Sequence, residues 1–89
     1  MENKKGFEDQ IVVVTGASAG IGRAIAIAFA KEGAHVALIA RNKERLEEAR
    51  KEAEGFGVKD LGLPLDVADA EALENAAAQA ERVLGTIDI

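Results

Sequence analysis

No cysteine occurs among the 89 residues, which excludes disulfides, thiolate metal sites and a cysteine nucleophile. Trp and Tyr are also missing and only three Phe are present. A core must then be assembled from Ile, Val, Leu and abundant Ala, side chains that let helices pack closely. No stretch approaches the roughly 20 apolar residues of a membrane span. Positive charge is scarce: 11 Lys and Arg stand against 16 Asp and Glu, a net charge of -5. This argues against a nucleic-acid partner, which calls for a clustered positive field. Met1 to Gln10 is charged and lacks the apolar centre of a signal peptide, so a cytoplasmic protein with no membrane partner is expected.

Hydrophobic residues at 48% and charged residues at 30% describe a folded chain rather than a disordered one. Its length allows one small domain at most. Gln10 to Thr15 is a β-branched run suited to a central strand buried on both faces of a parallel sheet. From Ile21, apolar residues at Ala24, Ile25, Ala28 and Phe29 predict one helical face, stopped by Gly33. Val36 to Ala40 reads as a second buried strand. Lys43 to Glu54 reads as an exposed helix in which Glu47 can pair with Lys51, closed by Gly55 and Gly57. Leu61 to Val67 is a weaker strand whose Pro64 suits a sheet edge. Asp69 is a candidate N-cap for a helix facing the core through Leu73, Ala76, Ala77, Ala80 and Leu84. Ile87 to Ile89 reads as the onset of a fourth strand.

Strands alternating with helices predict the βαβαβα half of a Rossmann-type, doubly wound α/β parallel sheet ending at the onset of the fourth strand. Residues 1–89 are expected to form one partial domain of this kind, truncated at its C-terminal end. In the 3-2-1-4 strand order such a cut leaves the edge of Ile11 to Val14 largely unpaired, so self-association through that edge is expected.

Between the first strand and helix lies Thr15-Gly16-Ala17-Ser18-Ala19-Gly20-Ile21-Gly22, with three glycines in seven residues. Glycine tolerates a tight bend and lets the backbone approach a ligand, and the helix behind it presents free N–H groups and a positive dipole end to a pyrophosphate. The spacing Gly-x-x-x-Gly-x-Gly is neither Gly-x-Gly-x-x-Gly nor a P-loop. It resembles the Thr-Gly-x-x-x-Gly-Ile-Gly motif of the short-chain dehydrogenase/reductase family, matched at Thr15, Gly16, Gly20, Ile21 and Gly22. Leu65-Asp66-Val67 and Gly85-x-Ile87-Asp88-Ile89 extend the resemblance in order and spacing from Gln10 to Ile89.

The resemblance implies a nicotinamide dinucleotide cofactor. Gly16, Ser18, Ala19, Gly20, Ile21 and Gly22 are then expected to form the turn that holds the pyrophosphate. Asp66 would reach the adenine amino group and the Val67 N–H a ring nitrogen, although Asp66 can instead serve a local turn. The acidic residue that selects NAD would fall at Ala40, which has no carboxylate, and Arg41 follows it. NADP is therefore expected over NAD, with a solvated helix-start cation as the other reading of Arg41. Ala19 stands where many NADP-preferring relatives carry a second basic residue, and Arg23 is expected to point along its helix.

No catalytic or metal-binding residue is expected in the chain. Ser18 lacks a base and an orienting partner, the helix carboxylates form no acid/base pair or metal cluster, and His35 sits at the end away from the cofactor. The family's Asn-Asn-Ala-Gly motif, catalytic Ser and Tyr-x-x-x-Lys pair have no counterpart in these residues. Two functions follow from this: the cofactor-holding segment of an NADP-dependent oxidoreductase acting on carbonyls or alcohols, inactive alone, or a stand-alone nucleotide-binding module without catalysis.

Overall fold

The computed structural model describes residues 7–89. Strands β1 (Ile11–Thr15), β2 (His35–Ala40) and β3 (Asp60–Pro64) alternate with helices α1 (Gly20–Lys31), α2 (Lys43–Glu54) and α3 (Ala70–Leu84). Both strand pairings are parallel, in the order β1-β2-β3. β2, rather than β1 as expected, takes the middle because it is apolar on both sides: Val36, Ala37, Leu38 and Ile39 are fully buried. Alternation along the strands divides the core in two. Val12, Val14, Val36 and Leu38 meet α1 and α2 on one face, while Ile11, Ala37, Ile39 and Leu63 meet α3 on the other. This is the doubly wound half expected from the alternation of elements.

Four local expectations are corrected. α1 does not face the sheet through Ala24, Ile25 and Ala28, which are exposed, although Phe29 of the same stripe packs against the core. Ala26 and Ala30 are its buried residues, and Ile21 and Ile25 are 79% and 44% exposed. The helix is apolar nearly all round, so spacing cannot choose a side; the small residues at Gly22, Ala26 and Ala30 allow the closest approach to β1 and β2 and win the contact. β3 stops at Pro64 rather than Val67, because the chain turns at Asp66, whose carbonyl accepts the Asp69 N–H at 2.9 Å. Glu47 pairs with Arg50 at 2.6 Å rather than with Lys51.

The fourth correction concerns β1. Its outer edge is not bare, since the Asp88 N–H donates to the Ile11 carbonyl at 2.8 Å and the Val13 N–H to the Ile89 carbonyl at 2.9 Å. The Asp88 carboxylate accepts the Ile11 N–H at 2.8 Å. Asp88 and Ile89 thus lie hydrogen-bonded along the first half of the edge through which self-association was expected. Among the described residues, however, the sheet has three strands, and residues 87–89 do not form the fourth whose onset was expected there. Pro64 does lie on an edge strand, β3. Among the described residues no helix is long and apolar enough to cross a membrane.

Asp69 caps α3: its Oδ1 accepts the Ala72 N–H at 3.0 Å. Asp69→Ala is expected to lower stability by about 1 kcal/mol, read from urea unfolding with an unchanged m-value. A change under about 0.3 kcal/mol would show that water replaces the cap.

Candidate functional site

The carboxyl ends of all three strands point the same way, and the segments leaving them meet there. The β1–α1 turn contributes Gly16 and Ser18, the β2–α2 junction Ala40, Arg41 and Asn42, and the residues after β3 Leu65, Asp66 and Val67. Together they line an open cleft of about 330 Å³. Of the residues singled out in the sequence, Gly16, Ser18, Arg41, Asp66 and Val67 come together here. Ala19, Gly20, Ile21 and Gly22 lie outside the cleft, at the start of α1 beside it.

The turn is shaped by its glycines. Gly16 has φ +64° and Gly20 φ +59°, left-handed conformations that cost an L side chain roughly 1–2 kcal/mol. Between them the Ala17 N–H donates to the Ile39 carbonyl at 3.1 Å, tying the bend to the end of β2. Gly22 has a different role: a Cβ there would lie 2.0 Å from the Gly16 carbonyl oxygen. It is the point where α1 rests directly on the turn, so it holds the bend closed from behind.

α1 is open at its N-terminus. Its Ala19 N-cap makes no side-chain cap hydrogen bond and its first turn holds no acidic residue. By contrast, Asn42 Oδ1 accepts the Arg45 N–H at 2.9 Å to cap α2, Asp69 caps α3, and both helices carry Glu in their first turns. The helix that follows the glycine bend is thus the one whose leading N–H groups and positive dipole end are left for an anion.

Arg41 and Asp66 face each other across the mouth of the cleft, Nη1 to Oδ2 at 3.9 Å, with side chains 80% and 53% exposed. Asp66 Oδ1 is engaged elsewhere, accepting the Ala68 N–H at 2.9 Å. The turn role considered for Asp66 is therefore filled by one carboxylate oxygen, which leaves the other over the cleft. The Val67 N–H has no intramolecular partner among the described residues.

Arg23 is withdrawn from the cleft rather than pointing along α1. It binds Glu52 of α2 through Nε at 3.1 Å and Nη2 at 3.0 Å. His35 lies at the opposite end of the sheet, where Nδ1 accepts the Lys59 N–H at 3.0 Å, and it plays a structural part there. No three metal-ligating side chains cluster among the described residues. Asn42 was not foreseen as lining the cleft; its position directly before a helical run marks it as a cap, and the cap places it beside Arg41.

Ligands of open parallel sheets bind outside the carboxyl ends of the strands, and a glycine bend, a free helix start and a cleft at that end define a Rossmann-type fold. Residues 10–89 match the family model described as short chain dehydrogenase. The chain belongs to that family. It is 40% identical over 87 residues to 2,3-dihydro-2,3-dihydroxybenzoate dehydrogenase of Bacillus subtilis (strain 168), covering 98% of this chain and 33% of that one. L-Sorbose reductase from Gluconobacter frateurii, solved with NADPH and L-sorbose, superposes with a TM-score of 0.88 at 41% identity over 97% of this chain and 33% of the reductase. NAD+-bound xylitol dehydrogenase gives a TM-score of 0.91 at 36% identity, over 94% and 32% of the two chains. The chain thus spans about a third of the length of these relatives.

Proposed function

We propose that these residues hold NADP(H) for an oxidoreductase that transfers hydride between nicotinamide and a carbonyl or alcohol substrate. The chain's own part is binding and orientation. Backbone N–H groups from Gly16 to Gly22, with the Ser18 hydroxyl, receive the pyrophosphate at the open end of α1. Asp66 Oδ2 accepts from the adenine amino group, and the Val67 N–H donates to a ring nitrogen. Arg41 takes the 2′-phosphate. The bound nicotinamide supplies or accepts the hydride.

The observation that carries the choice of NADP is the end of β2. Ala40 brings no carboxylate to repel a phosphate, and Arg41 lines the cleft with a largely exposed guanidinium, a planar donor fork suited to phosphate oxygens. Among the relatives above one was solved with NADPH and one with NAD+, so the cofactor must be read from this chain's own residues. Binding of NADP+ and NAD+ to Arg41→Ala tests it. A loss of about 1.5–3 kcal/mol for NADP+, roughly 10- to 150-fold, is expected with NAD+ little changed. Equal losses for the two cofactors would overturn the assignment.

A further inference from the structure

Resting on the reading of Arg41 as the group that takes the 2′-phosphate, we infer that Asp66 is a specificity-determining residue: its carboxylate stands in for that phosphate on the Arg41 guanidinium until the cofactor arrives. The geometry is specific to one oxygen. Oδ1 is held by the Ala68 N–H at 2.9 Å, and the Asp69 N–H bonded to the Asp66 carbonyl closes the same turn. The carboxylate is thereby oriented so that Oδ2 faces Arg41 Nη1 at 3.9 Å across the cleft that both residues line. No other acidic side chain lies within ion-pair distance of Arg41 among the described residues. Arg23, in the first turn of α1, is already committed to Glu52 and Glu48.

The pair is exposed, so it is weak and exchangeable. A ribose phosphate carrying close to two negative charges displaces a single carboxylate from the guanidinium, whereas the neutral 2′-hydroxyl of NAD cannot. Oδ2 has acceptor capacity for both the adenine amino group and Arg41, so NAD leaves the pair in place, whereas the phosphate of NADP competes with Asp66 for Arg41. Asp66 thus moderates the preference that Arg41 creates. Removing its charge while keeping its turn should raise that preference.

The measurement is the ratio of NAD+ to NADP+ dissociation constants at low ionic strength, taken by titration calorimetry. Any weakening of adenine binding common to both cofactors cancels in that ratio. Asp66→Asn keeps an oxygen for the Ala68 N–H and is expected to raise the ratio about threefold to fivefold, the scale of an exposed ion pair. Asp66→Ser, which keeps a turn-forming hydroxyl without charge, is expected to do the same. In the Arg41→Ala background the gain should shrink to within about twofold, and salt at about 0.5 M should erase it. An unchanged or lowered ratio in both Asp66 variants overturns the inference, as does an equal gain without Arg41. If Arg41→Ala itself leaves the ratio at its starting value, the assignment of Arg41 to the phosphate has failed and the inference falls with it; a ratio that collapses in Arg41→Ala but rises in neither Asp66 variant sinks the inference alone.

Discussion

Gly22→Ala is expected to be the most damaging alanine substitution among the described glycines. The added Cβ would sit 2.0 Å from the Gly16 carbonyl oxygen, 2.7 Å from its carbonyl carbon and 3.3 Å from the Thr15 oxygen. All three are backbone atoms, so no rotamer change relieves the clash. Either the bend must open or the start of α1 must lift, and Ala26 and Ala30 hold that helix against the sheet with no exposed surface. Overpacking of this kind costs up to about 3 kcal/mol. Displacing the turn also removes the backbone donors proposed for the pyrophosphate, and losing about two such bonds weakens dinucleotide binding roughly 100-fold. Gly20→Ala separates the two roles. A Cβ at Gly20 meets nothing within 4 Å, and only its φ of +59° resists the change, so a loss of about 1–2 kcal/mol is expected. Urea unfolding of both variants, with cofactor titration, checks the ranking. Equal stabilities would show that α1 does not rest on the bend as described.

Much of this arrangement was legible in the residues, for physical reasons that differ by position. β2 was readable as a buried strand from its unbroken apolar run, but the middle of the sheet was expected of β1, which lies at an edge of the three strands. The bend between β1 and α1 was readable because left-handed backbone and close approach both demand glycine, and such glycines flank a helix start. The capping of α3 by Asp69 rests on a local hydrogen bond that sequence spacing encodes directly. The side α1 turns to the sheet was not encoded that way. Ile21, Ile25 and Phe29 form as good a stripe as Gly22, Ala26 and Ala30 by spacing alone, and the outcome depended on how near the helix comes to the strands. The partner of Glu47 was likewise decided at a distance, by where Arg50 is drawn.

That draw is the basis of the second large effect. Arg50 reaches from α2 to the start of β3, where its guanidinium bonds Asp60, and it also bonds Glu47 at 3.0 and 2.6 Å and Glu54 at 3.3 Å. The Asp60 side chain is only 5% exposed, so its charge is tolerated because Arg50 meets it. The side-chain stem has room because Gly62 lies beneath it: a Cβ there would touch Arg50 Cδ at 3.5 Å. Arg50→Met keeps much of the stem and removes the charge, which strands a nearly buried carboxylate. A loss of about 2 kcal/mol is expected, below the figure for a fully buried pair because the arginine is itself partly wetted. Adding Asp60→Asn should recover at least half of that loss, since the remaining group is neutral; no recovery would mean that packing rather than charge is what Arg50 supplies. The acid side of the stability profile gives a second readout. The hydrogen bond from Arg50 is the main cause that holds the Glu47 carboxyl below the usual carboxylate range, with the arginine's charge acting in the same direction. A group with a depressed folded value stabilises above its unfolded value and loses that contribution as pH falls through the folded one. Arg50→Met should therefore lose less of its stability between neutral pH and the acid limb than the unaltered chain does.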